Sequence, residues 1–125
     1  MTTVVDKGIE IISKLINGVA STAFTYMANG SGDNVEATDR TALETENTLY
    51  GSERVAATCT NESDTTAVWN KVFTASGGSV TIREVGIFDA ASAGNMVLIH
   101  VYASNKTIDD GESIDITLKI NVAGE

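Results

Sequence analysis

Nucleophile–histidine–acid catalysis needs a histidine, and His100 is the only one in the chain. It lies in "LIHVY" on a strand face shared with Met96, Leu98 and Tyr102, and no Gly-x-Ser-x-Gly elbow occurs anywhere. His100 therefore reads as a packed or subunit-contact residue. One cysteine, Cys59, rules out an internal disulfide and reads as strand filler. A lone His and a lone Cys cannot complete a transition-metal shell. Asp33, Glu36 and Asp39 could serve a hard cation, but they lack the alternating oxygen ligands and central glycine of a calcium loop. They read as a solvated acidic loop. "NGSGDN" and "SGGS" are glycine-rich, yet neither has the lysine and following helix of a phosphate-cradling loop. The pairs Asp109–Asp110 and Glu44–Glu46 read as turn and surface carboxylates, with no aromatic sugar platform beside them in sequence. Nothing here argues for an enzyme, a metal or a cofactor.

The chain that carries these residues is 125 residues long, the size of one domain spanning 1–125. Seventeen acidic against eight basic side chains give a net charge of −9, which repels nucleic-acid phosphates. No apolar run approaches the roughly 18 residues a membrane span requires, so no membrane partner is expected. Asp6, Lys7, Glu10 and Lys14 interrupt the apolar positions near the N-terminus, which argues against a secretory signal. Synthesis in and retention by the cytoplasm are expected, and the sequons at Asn29, Asn61 and Asn105 read as ordinary loop residues. Proline is absent, so turns must come from Gly, Asn, Asp and Ser.

One segment has a helical period. Val5, Ile9, Ile12, Ile16 and Val19 recur at four, three, four and three residues, placing a helix over about 3–17 with these side chains on one stripe. Thr3 is its expected N-cap, Asn17-Gly18 ends it, and Gly8 marks a close approach to a sheet. The stripe packs either over the fold or on a neighbouring subunit. A strand over 22–28 puts Phe24 and Tyr26 on one face, and an acidic loop over about 29–48 follows, with one helical turn at "TALETE". From 53 to 122 the pattern is β. Trp69 and Phe73 share a face, and "SGGS" reads as a hairpin turn. "VTIREVGIFDA" changes phase between Ile82 and Val85, which implies a bulge or bend that Gly86 would tolerate. "NMVLIHVYA" is apolar on both faces, and Ile114, Ile116, Leu118, Ile120 and Val122 alternate with polar residues. Six short strands after one amphipathic helix describe a mainly β protein: an antiparallel, jelly-roll-like β-sandwich.

The second half resembles small virion proteins of tailed bacteriophages, namely the tail-collar and tail-fibre attachment family and its short single-domain relatives. The residues that carry the likeness are Thr81, Glu84, Gly86, Ile87, Phe88, Asp89 and Ala90, then Gly94, then Asp110-Gly111-Glu112-Ser113. The order of helix, "NGSGDN", "TALETEN" and "ERV" extends it over nearly the whole chain; Ile87, where leucine is usual, and the polar stretch from Asn61 to Thr66 depart from it.

The resemblance implies a non-enzymatic structural protein of the virion. The expected role is a capsid decoration or cement protein that forms a homo-oligomer, a trimer, and docks on the major capsid protein. The alternatives are a collar, baseplate or tail-fibre adaptor contacting tail or collar proteins, and a carbohydrate-binding adsorption module using Trp69, Tyr50 and Tyr26. The expected subunit interface is Val97, Ile99 and Val101, or the opposite set Met96, Leu98, His100 and Tyr102.

Overall fold

A computed structural model describes residues 2–122. The protein is mainly β, with two antiparallel sheets packed as a sandwich and one N-terminal helix. Strands β1 (Thr2–Val4), β2 (Tyr26–Gly30), β3 (Val55–Ala56), β6 (Val80–Phe88) and β7 (Met96–Ile108) form a five-stranded sheet in the order β1-β7-β6-β2-β3. Strands β4 (Thr58–Ser63), β5 (Thr66–Thr74) and β8 (Ser113–Asn121) form a three-stranded sheet in the order β4-β5-β8. The main core lies between the sheets. Trp69, Phe73, Ile116 and Leu118 of the small sheet meet Met27, Ile82, Val85, Ile87 and Leu98 of the large one. The alternation of Ile114 to Ile120 is the inner face of β8, while its Ser, Asp, Thr and Lys positions stay wet.

Several sequence expectations need correction. Helix α1 spans Asp6–Ile16 and is capped by Val5 without a side-chain hydrogen bond. Thr3 is instead in β1, because the β-branched run Thr2-Thr3-Val4 pairs with the edge of β7. "SGGS" makes no hairpin: β5 pairs with β4 and β8, whereas β6 pairs with β2 and β7, so the chain changes sheet there. The expected strand over 22–28 begins only at Tyr26, which puts Phe24 in the inter-sheet core and Tyr26 against a second cluster on the outer side of the large sheet. No helical turn forms at "TALETE", where Glu46 bridges to Gly30 instead.

The helix packs on β7, and Gly8 makes the approach. A Cβ there would lie 2.6 Å from both Cα and the carbonyl oxygen of Val97. The sheet-facing side of α1 is Gly8, Ile11, Ile12 and Leu15, spaced three, one and three apart. Only Val5 and Ile12 of the predicted stripe join the core; Ile9 (55 % exposed), Ile16 (82 %) and Val19 (73 %) do not.

Candidate functional site

The expected phase change in β6 is present, but three residues before Gly86. Glu84 pairs with Val101 and Ile82 with Lys106, so four residues of β7 stand opposite the single Arg83. Arg83 fills the gap, donating from Nε to the Tyr102 carbonyl. Beyond this bulge Val85 and Ile87 point into the sandwich, and Glu84, Gly86 and Phe88 face the outer side. A second register shift at Val97 sends Met96 to the same outer cluster as Ile99.

The outer side is where the motif residues act. Loop 31–48, twelve of whose residues are Ser, Thr, Asn, Asp or Glu, is laid over it and held by Glu84.

 The Glu84 carboxylate is buried and accepts from the backbone N–H groups of Gly32 (3.0 Å), Glu44 (2.8 Å) and Thr45 (2.8 Å), with Arg40 Nη2 3.5 Å away. The glycine-rich "NGSG" thus cradles an anion, but the anion is the chain's own carboxylate: a Cβ on Gly32 would lie 2.5 Å from Glu84 Oε2. Gly86 leaves room for Leu43, which drops from the loop into the outer cluster beside Val5, Ala28, Phe88, Met96 and Ile99. Phe88 carries Arg54 on its ring, 3.7 Å from the centroid. Arg54 also pairs with both oxygens of Glu46 and donates to the carbonyls of Ala90 and Ala93. Asp89 closes the β6–β7 turn by accepting from the backbone and side-chain nitrogens of Asn95.

The expected interface residues are placed as follows. Met96, Val97, Leu98 and Ile99 are buried by the chain's own elements, whereas His100, Val101 and Tyr102 keep some surface. Glu36 reaches them from the loop: Oε1 accepts from the Val101 N–H at 2.6 Å and lies 3.5 Å from His100 Nδ1, while Oε2 accepts from Thr3 Oγ1. His100 meets the Tyr102 ring edge-on at 4.6 Å, and burial pushes the Tyr102 phenol up. Asp33 and Asp39 do not join Glu36 in a cluster; among the described residues no three His, Cys, Asp or Glu side chains are gathered to hold a metal ion. Cys59 is exposed on β4, with its thiol pushed up by partial desolvation. Asp109 and Asp110 accept from Ser79 Oγ and the Gly77 N–H and so brace the crossing between the sheets. Trp69 is buried, its indole N–H donating to the Phe24 carbonyl.

Sequence reasoning missed Arg54, Arg40 and Leu43, because a lone arginine or leucine in a polar stretch carries no periodic signal. For Arg40 a signal existed in its partner Glu84, since a glutamate inside a largely apolar strand needs internal donors. The assembled site is a clamp that holds a loop on a sheet, with no nucleophile and base brought together within it.

Residues 8–121 match the family described as "Podophage GP4 fiber I protein gp80". No curated protein matches the chain.

Proposed function

The chain belongs to the podophage GP4 fiber I protein gp80 family, and from that premise we propose that it is a structural component of a phage tail fibre that assembles with copies of itself as a trimer. The observation that carries the assembly is the exposed apolar edge of α1 and its C-terminal exit. Ile9, Ile16 and Val19 are exposed, and with the half-buried Ile12 between them they follow the three, four, three spacing of a helix–helix seam, where isoleucine at both seam positions favours more than two strands. An 11-residue helix is too short to associate alone in water. Here the sheet holds it through Gly8, Ile11, Ile12 and Leu15, so the ordering cost is met within the protomer and the exposed edge is offered already formed. His100, Val101 and Tyr102 at the end of the buried β7 segment are further contact residues.

A fibre role accords better with the matched family than decoration of the capsid, and it keeps the tail and collar proteins as partners. The motif from Glu84 to Asp89 resembles that of the collar and fibre-attachment proteins, which supports a position where the fibre joins the tail. The protein is made in the host cytoplasm and works in the virion without catalysis.

Light scattering on the purified full chain should give a mass near three times 13.1 kDa. Replacing Ile9 and Ile16 together by aspartate should leave a folded monomer with an unchanged circular dichroism spectrum, since both side chains are exposed in the protomer, and a melting temperature lowered only by the lost assembly. A wild-type monomer at tens of micromolar would overturn the assembly. Immunogold labelling should mark the tail at a few sites; label spread over the head would overturn the fibre assignment and restore the decoration role.

A further inference from the structure

We infer that the cleft between residues 46–52 and the start of β6 is a saccharide-binding site with Tyr50 as its stacking platform. The cleft encloses about 240 Å³ and is lined by Asn47, Thr48, Tyr50, Ser52, Ser79 and Thr81, among others. That is smaller than the roughly 300–1,000 Å³ of pockets for drug-sized ligands. It suits one sugar residue, with the rest of a glycan in solvent.

Tyr50 is held at a cost. Its φ is +61°, a strained left-handed conformation that L residues other than Asn and Asp seldom adopt. Backbone strain of this kind persists only where the surroundings over-determine it. Gly51 follows at φ +81°, and the Ser76 N–H donates to the Tyr50 carbonyl at 3.0 Å. The ring lies on Gly78, where a Cβ would come within 2.9–3.0 Å of Cζ, Cε1 and Cε2. Near-equal distances to three adjacent ring atoms describe contact with the face of the ring, because an in-plane approach would meet the hydroxyl first. One face is therefore backed by glycine, while the residue stays 46 % exposed. Neither other candidate aromatic is placed this way: Trp69 is buried, and Tyr26 packs against the outer cluster.

Beside this platform stands a rigid set of polar groups. Asn47 commits its amide nitrogen to Asn29 Oδ1 (2.8 Å) and the Thr81 carbonyl (2.9 Å), and its backbone N–H to the Asn29 carbonyl (2.8 Å). Its own Oδ1 is not used in these bonds and is fixed in place as an acceptor. Ser79 donates to Asp109, which leaves its oxygen free to accept. Glu46, the one acid in the wall, has both oxygens on Arg54, so the cleft does not call for a cation. A partly exposed aromatic ring in the cleft wall beside fixed hydroxyl and amide groups matches a neutral sugar, which presents C–H bonds on one face and hydroxyls on its edge.

The test is an NMR titration of the ¹⁵N-labelled full chain with methyl glycosides of glucose, galactose, mannose, rhamnose and N-acetylglucosamine. At least one should shift the amides of Asn47, Tyr50, Gly51 and Gly77–Ser79 in a saturable way. Y50N removes the ring while placing a residue suited to the left-handed backbone, and should weaken binding roughly tenfold or more. Y50F should bind nearly as well as the wild type. Ile9→Asp with Ile16→Asp should bind equally, which separates this site from trimer assembly. No saturable shift with any of the five glycosides, unchanged binding by Y50N, or shifts at these amides with a proline-rich peptide alone would each overturn the proposal.

Discussion

Glu84 concentrates in one side chain what ties the loop to the sheet. Three backbone N–H groups from residues 32, 44 and 45 converge on its two oxygens, with Arg40 beside one of them. Glutamine has nearly the same shape but replaces one oxygen with a donor, which would face N–H groups already committed to that point. Leaving a buried donor unsatisfied costs about 1–3 kcal/mol, and more where the lost partner was charged. Glu84→Gln should therefore lower the melting temperature by roughly 5–15 °C. It should also open residues 31–48 to limited proteolysis before the rest of the fold. A variant that melts like the wild type and keeps the loop protected would show that the three hydrogen bonds are dispensable. Gly86→Ala should act more gently in the same place: the added Cβ would lie 3.0–3.1 Å from Met96 Sδ, Phe88 Cε1 and Leu43 Cδ2, asking the neighbours to shift at a cost of about 1–2 kcal/mol. A thermal melt of this variant should fall between the wild type and Glu84→Gln.

At the scale of elements, α1 gives a sharper test, because intrinsic propensity and packing predict opposite signs. Alanine is normally about 1 kcal/mol better than glycine inside a helix. At Gly8, however, the added Cβ would meet the Val97 backbone, which cannot rotate away as a side chain can. Gly8→Ala should thus destabilise the protein and speed amide exchange along Asp6–Ile16, whereas exposed Ser13→Ala should not. A more stable Gly8→Ala would mean that the helix tolerates being lifted from β7. The same helix shows where sequence reading stops. Its period was legible and so was the meaning of Gly8, but the apolar arc is wider than the sheet can cover. The stripe with the cleanest spacing is largely the uncovered edge, and the covered face includes a glycine, which counts as no hydrophobic signal. β8 was legible through its alternation of two, β5 through Trp69 and Phe73 on one face, β6 through two alternating runs with a phase change between them, and β7 through an apolar run on both faces. β1 was not, since three β-branched residues become a strand only when β7 offers an edge. "SGGS" announced a turn but could not say which sheet the next strand would join. The acids of loop 31–48 looked solvated because charge in sequence does not reveal that Glu36, Glu44 and Glu46 are spent on internal donors.

At the scale of the whole molecule, a net charge of −9 must be brought together three times over in the proposed trimer. Like-charged protomers repel over a distance set by salt, with a Debye length of about 30 Å at 0.01 M and about 8 Å at 0.15 M. The α1 stripe that would join them is apolar, and burial of Ile9, Ile16 and Val19 is not weakened by added salt. Lys7 and Lys14, the cations nearest this stripe in sequence, are already paired with Glu10 of the same helix, and those pairs hold the Glu10 carboxyl below its usual range. They have little attraction left to lend to a neighbour. Screening should therefore remove repulsion while leaving the apolar contact intact, and the trimer should tighten as salt rises. Sedimentation equilibrium across this range should show the dissociation constant falling by several-fold. A trimer that loosens instead would be held by ion pairs between protomers, and the Ile9–Ile16 stripe would lie outside the interface.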